Sequence, residues 1–173
     1  LTGAFWTITA KPIRDGGQYI AEHGFGHSLF KHVCSGISHE MLEFVPMNDT
    51  VKISLVKLKN ISGEKRMLSL YYYVKPVLGV FENLTSPYIV TEMNKDMNAL
   101  LMRNVFNEDF LGRISFVSAS HKIQSYTGNL SEFLGPDFDT KRPESLKRES
   151  LSNNVGVGFS PCAAVQINVD LEE

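Results

Sequence analysis

The densest run of chemistry-bearing side chains is Glu22-His23-Gly24-Phe25-Gly26-His27-Ser28, with His32 and His39 soon after it. A zinc reading needs imidazole nitrogens converging at ~2.0–2.1 Å from one ion. On a helix His23 and His27 would share a face, but Gly24 and Gly26 disfavour a helix there. On an extended chain they also share a face, roughly 13 Å apart at ~3.3 Å per residue. Only a tight glycine turn would bring them together. The expectation is therefore a bent loop entering a strand, with the imidazoles hydrogen-bonded locally and no metal.

Paired carboxylates are the second possible chemistry, because two of them flanking a glycosidic bond can act as acid and base. Glu92, Asp96, Glu108, Asp109, Glu132, Asp137 and Asp139 are available, but their spacing selects no pair. No Gly-x-Ser-x-Gly occurs, which removes the strained serine nucleophile of the hydrolase elbow. Gly156-Val157-Gly158 lacks the third glycine and the strand-turn-helix setting of a dinucleotide site. Phe5, Trp6 and Tyr71-Tyr72-Tyr73 could stack on sugar rings. For the tyrosine run the strand explanation is better, because consecutive residues split between two faces and at least one enters a core.

Positioning such residues falls to a chain of 173 residues with 17 Lys+Arg, 19 Asp+Glu and 43% apolar content. That length suits one domain with a single sizeable core. A net charge of −2 offers no electrostatic footprint for nucleic acid or an anionic membrane. No apolar run approaches the ~20 residues of a spanning helix. The first residue is Leu1 and no signal-peptide pattern is present, so a mature or excised piece is expected. Cys34 and Cys162 could pair or stay free, and two free buried thiols are expected.

The dominant period is two. In Cys162–Leu171 the residues Ala163, Val165, Ile167, Val169 and Leu171 fall on one face, with Gln166, Asn168 and Asp170 opposite, which describes a half-buried strand. Further strands are predicted at Phe5–Thr9, Leu29–Cys34, Ile37–Val45, Val51–Leu58, Met67–Val74, Tyr88–Met93, Ala99–Arg103 and Arg113–Val117. The short Gly63-containing loop predicts a hairpin between Val51–Leu58 and Met67–Val74. Pro143–Leu151 could form a short surface helix within a long polar loop, Gly135–Asn154. About ten strands with regular turns predict an all-β, two-sheet antiparallel sandwich across residues 1–173.

Several strings, in order, resemble family 94 of the glycoside hydrolases, the inverting cellobiose, chitobiose and β-1,2-oligoglucan phosphorylases. They begin with Thr2-Gly3-Ala4-Phe5-Trp6-Thr7 before Pro12, then Tyr19 with His23-Gly24-Phe25-Gly26-His27-Ser28. Phe44-Val45-Pro46, Val51-Lys52-Ile53, Asn60 with Ser62, Arg66 with Leu68-Ser69, and Val77-Leu78-Gly79 follow. Thr127-Gly128 with Glu132-Phe133-Leu134-Gly135, then Pro161-Cys162-Ala163-Ala164-Val165-Gln166, look most like the phosphorylase-like region of cyclic β-1,2-glucan synthases. The chain departs from the family at Glu22, Pro76, Leu130, Pro136 and Ser160. Arginines are expected at the first, third and fourth of these positions, and their loss weakens any anionic contact made there.

The resemblance implies the N-terminal super-sandwich, galactose mutarotase-like in fold, that precedes a helical catalytic toroid. It implies a fragment inactive by itself, with catalytic residues absent, whose reading frame continues past Glu173 into helical sequence. Within a cytoplasmic bacterial parent, or a membrane-associated one if it is a synthase, it would buttress the toroid and shape the sugar cleft or a homodimer interface. Trp6, His23, Phe25, His27, Thr127, Glu132 and Phe133 are the candidate carbohydrate-facing or interface residues. No cofactor is implied beyond inorganic phosphate used by the parent. The implied partners are a β-linked glucooligosaccharide and the parent's own toroid, with no nucleic acid. The competing readings are a carbohydrate-binding module and a mutarotase-like epimerase with a His/Glu acid–base pair.

Overall fold

A computed structural model describes residues 4–106 and 112–172 of the chain. Glu108 and Asp109, and Thr2 and Gly3 of the opening motif, lie outside the described residues. The chain divides into two compact units, one of Ser69–Val169 and the other of Thr2–Leu68 with Asp170–Glu173. The protein is an all-β sandwich domain, with its described strands in three sheets of orders β1-β2-β3-β4, β5-β10-β9 and β6-β7-β8.

The smaller unit is a meander of β1 (Tyr19–Gly24), β2 (His27–Cys34), β3 (Ile37–Phe44) and β4 (Ile53–Asn60). Each strand pairs antiparallel with the next. The β2–β3 connection is two residues, Ser35 and Gly36, at φ 51° and 76°. That left-handed pair matches the twist of the flanking strands, as primed hairpin turns do. The register sets Tyr19 opposite His32, and His32 opposite His39. Because side chains alternate along a strand, Cys34, His32, Ile37 and His39 share one face. Ile37, His32 and His39 are buried, whereas Val33, Leu55 and Val56 stay partly open to solvent.

In the larger unit, a one-turn helix α1 (Glu82–Thr85) precedes β6 (Ile89–Asn94), which forms one antiparallel sheet with β7 (Ala99–Asn104) and β8 (Ser115–Ser118). The other sheet holds β5 (Arg66–Val74), β10 (Pro161–Leu171) and β9 (Ser125–Asn129), with β10 central. Ile89, Leu100, Met102 and Val117 of the first sheet pack with Ala163 and Val165 of β10. That layer makes the sandwich. On the opposite face Cys162 and Ala164 pack with Phe133 and Leu134 of helix α2 (Leu130–Leu134) and with Leu151. The first six residues of β10 are therefore buried on both faces, and the expected alternation appears only from Ile167 onward. Gln166, expected on the polar face, is fully buried and satisfied: its Oε1 accepts from Ser125 and its Nε2 donates to the Glu149 carbonyl.

Three expectations need correction. Phe5–Thr9 is not a strand. The Thr7 hydroxyl donates to the carbonyls of Thr9 and Ile13, and that of Thr9 to the carbonyl of Lys11, so side chains replace the ladder. The predicted β4–β5 hairpin does not form, since β4 pairs with β3 and β5 with β10. Asn60 organises the intervening loop instead, accepting from the Ser62 amide and donating to the carbonyls of Glu64 and Glu172. The helix expected over Pro143–Leu151 shortens to one 3₁₀ turn, Glu144–Lys147, in which only Ser145 is buried. With no apolar stripe to bury, a longer helix has no packing to sustain it.

Candidate functional site

The glycine-rich histidine segment forms the β1–β2 hairpin. His23 and Ser28 face each other in register, and His23 Nδ1 lies 2.9 Å from Ser28 Oγ. His27 Nδ1 turns back to the Phe25 carbonyl at 3.3 Å. Phe25 itself is fully exposed at the tip. The two imidazoles thus bond locally as expected.

The other two histidines carry more organisation. His39 Nδ1 donates to the His32 carbonyl at 3.0 Å, and His39 Nε2 accepts the Trp6 indole N–H at 2.6 Å. One donated and one accepted bond describe a neutral ring, and burial holds its pKa below the ordinary 6.5. Trp6 is therefore a packing and hydrogen-bonding residue beneath the meander sheet. Tyr19 stacks on His32 with ring centroids 3.7 Å apart and planes 8° from parallel. His32 Nδ1 meets the Gln18 carbonyl at 2.9 Å, and its Nε2 meets Asp15 Oδ2 at 3.0 Å. Asp15 Oδ1 accepts the Gly17 amide at 2.7 Å. Hydrogen bonding from the Cys34 thiol, and then from the Gly17 amide, lowers the Asp15 carboxyl to about 2. Burial raises the Cys34 thiol. Both cysteines are free, Cys162 buried as expected, whereas Cys34 is half-buried.

In the larger unit Thr127, Glu132 and Phe133 come together, but inward. Asn129 caps α2 by accepting the Ser131 amide at 3.0 Å. The Glu132 carboxylate, at the first turn, accepts the Thr127 hydroxyl at 2.6 Å, the Ser152 amide at 3.0 Å and the Ser152 hydroxyl. Arg148 Nη1 adds a longer ionic contact at 3.8 Å. Phe133 is 3% exposed and packs against Tyr71 and Tyr73, with centroids at 6.5 and 5.0 Å. Tyr72 on the opposite face is partly exposed, as the alternation predicts. The Thr-Gly pair has a steric reason too. A Cβ on Gly128 would lie 2.1 Å from Thr91 Oγ1, so only glycine lets β9 approach β6 this closely. Glu92, Asp96, Asp137 and Asp139 are exposed side chains.

A hollow of about 460 Å³ lies in the smaller unit, lined by residues including Ile8, Lys11, Arg14, Tyr19 and Phe30. Among the residues that line it there is no carboxylate and no histidine.

The family model described as the supersandwich domain of glycosyl hydrolase 94 matches residues 1–173. The chain belongs to this supersandwich family. It is 26% identical over 160 residues to the cyclic beta-(1,2)-glucan synthase NdvB of Rhizobium meliloti (strain 1021), covering 92% of this chain and 6% of that protein. It is 26% identical to the N,N'-diacetylchitobiose phosphorylase of Vibrio furnissii, over 95% of this chain and 21% of the enzyme. With the solabiose phosphorylase of Paenibacillus borealis it shares 28% identity, over 89% of this chain and 21% of the enzyme. The supersandwich chain thus spans about a fifth or less of these relatives' lengths. None of its described helices is long and apolar enough to cross a membrane.

Sequence reasoning gave no weight to Asp15 or Cys34. The signal for Cys34 was present, since His32 and Cys34 two apart on a strand must share a face. Asp15 is seventeen residues from His32 in an irregular segment, where no spacing rule applies.

Proposed function

We propose that this chain is the non-catalytic supersandwich of a β-glucan-active enzyme, an inverting glycoside phosphorylase or a cyclic β-1,2-glucan synthase. It supports that enzyme's catalytic domain, and its loops border the sugar cleft or an interface between copies. The observation that carries this reading is the state of Glu132, the acidic residue of the best-matched motif. Its oxygens are occupied by two hydroxyls, one amide and a guanidinium, with the side chain 11% exposed. A carboxylate so engaged, with both oxygens already taken, holds α2 to the 148–152 segment. The exposed Phe25 at the hairpin tip is the best placed of the candidates for a contact surface.

Calorimetric titration of the chain with β-1,2-glucooligosaccharides, cellobiose and chitobiose tests the reading. The expected result is no saturable heat below millimolar sugar. Saturable binding at micromolar sugar would make it a carbohydrate-binding module instead. Mutarotation of glucose followed by polarimetry, expected at the buffer rate, separates the epimerase alternative.

A further inference from the structure

We propose that Asp15, His32 and Cys34 form a binding site for one zinc-class divalent transition-metal ion. The donor set is an imidazole nitrogen, a thiolate and a carboxylate, the three protein ligand types zinc accepts. Thiolate and carboxylate together neutralise the dication, and the sulfur selects against magnesium and calcium. The three donor atoms lie within 4.8 Å of one another. Tetrahedral zinc at ~2.0–2.3 Å from each ligand requires donors roughly 3.3–3.8 Å apart. Closing the cluster onto an ion takes a shift on the order of 1 Å, with the half-buried Cys34 beside the Ser35-Gly36 turn free to supply it. Solvent completes the fourth position.

The surrounding contacts already orient these ligands. Two acceptor atoms, the Gln18 carbonyl and Asp15 Oδ2, face the two ring nitrogens of His32. With the Nδ1 proton on Gln18, the Nε2 lone pair points at a carboxylate oxygen, and a cation between them satisfies both. A carbonyl on the far ring nitrogen and an amide on the far carboxylate oxygen are the usual outer contacts of metal-bound histidine and aspartate. Here they are Gln18 O and the Gly17 amide. Tyr19 fixes the ring plane from one side. Gly17 closes the loop over the site, since a Cβ there would meet His32 Cε1 at 2.9 Å and Asp15 Oδ1 at 3.0 Å. His23 and His27 have no comparable support. The site departs from the sequence expectation of no metal, and it does not depend on the proposed function.

Titration of the metal-free chain with Co²⁺ tests the site. One equivalent is expected to give a thiolate-to-cobalt charge-transfer band with the intense visible bands of four-coordinate cobalt, and one equivalent of Zn²⁺ to displace it. C34S removes the charge-transfer band, D15N weakens Co²⁺ binding at least about ten-fold, and H23A leaves both unchanged. A second measurement needs no variant: Zn²⁺ should slow alkylation of Cys34 in the unmodified protein. Absence of the charge-transfer band at one equivalent, its survival in C34S, or alkylation rates equal with and without Zn²⁺ overturns the proposal, leaving a His32–Asp15 pair that shares only a proton.

Discussion

In the Ser69–Val169 unit the sheet built on β10 is covered on both faces, by β6-β7-β8 on one side and by α2 with Leu151 on the other. The meander unit contrasts with it. Of its sheet residues only Ile37, His32 and His39 are buried, and Leu55 is 49% exposed. Apolar side chains hold the first unit together, whereas rings, hydrogen bonds and one Asp–His contact organise the buried face of the second. The same difference divides the candidate site residues. Thr127, Glu132 and Phe133 are spent on closing a core, while His23, Phe25 and His27 stay exposed on the meander. A strong motif match can thus mark packing, and a weak one can mark reactive groups.

The contrast breaks most visibly at Phe133. F133A should cost about 3–5 kcal/mol, the range for emptying a buried aromatic site, whereas L55A on the open meander sheet should stay within about 1 kcal/mol. Urea unfolding of both variants measures the difference, and equal losses would erase the distinction. Next in size is E132Q, which leaves two hydroxyls and an amide competing for a neutral acceptor. A loss of about 2 kcal/mol is expected in the same experiment. G128A follows at roughly 1–3 kcal/mol, because its methyl overlaps Thr91 and the sheets must part.

The smallest expected effects come from pH, and they belong to the meander alone. Native His39 stays neutral below its ordinary pKa of 6.5, because burial disfavours the charged ring. The unfolded chain takes up that proton first, so stability present above pH 6.5 declines as pH falls below it, until the native ring also protonates. Asp15 acts in a lower window. Its carboxyl is depressed from 3.8 to about 2, so its contribution is intact above 3.8 and disappears as pH falls through about 2. Denaturation midpoints followed from pH 8 to about 2 should show both declines in wild type, the upper one missing in H39N and the lower one in D15N.

Much of this was readable from the residues, for reasons that also explain what was not. Alternation located β3, β4 and the end of β10 from Ile167 onward, because a period of two survives wherever one face is wet. It misassigned Gln166, since residue type reports polarity and not the presence of α2 over the outer face. β9 escaped notice because Ser125-Tyr126-Thr127-Gly128-Asn129 has only two strand-favouring residues, Tyr126 and Thr127, ahead of a glycine and an asparagine, and it owes its extension to pairing with β10. Helix α2 was not predicted, although Asn129 followed three residues later by Glu132 is a capping pattern. Its length of five residues is too short for any periodicity to register. The strings around Thr127 and Glu132 stand out as motif matches, but only coordinates show that Phe133 is buried and that Glu132 is bonded to Thr127 and Ser152. The Asp15 contact with His32 joins an irregular segment to a strand, and no local pattern encodes it.

The most direct test of a non-catalytic supersandwich is phosphorolysis. The chain is incubated with β-1,2-glucooligosaccharide, cellobiose or chitobiose in inorganic phosphate, and glycosyl phosphate is quantified. The account predicts no release above the protein-free control. Release by the wild-type chain that disappears in E132Q would contradict it, by giving that clamped carboxylate a catalytic role.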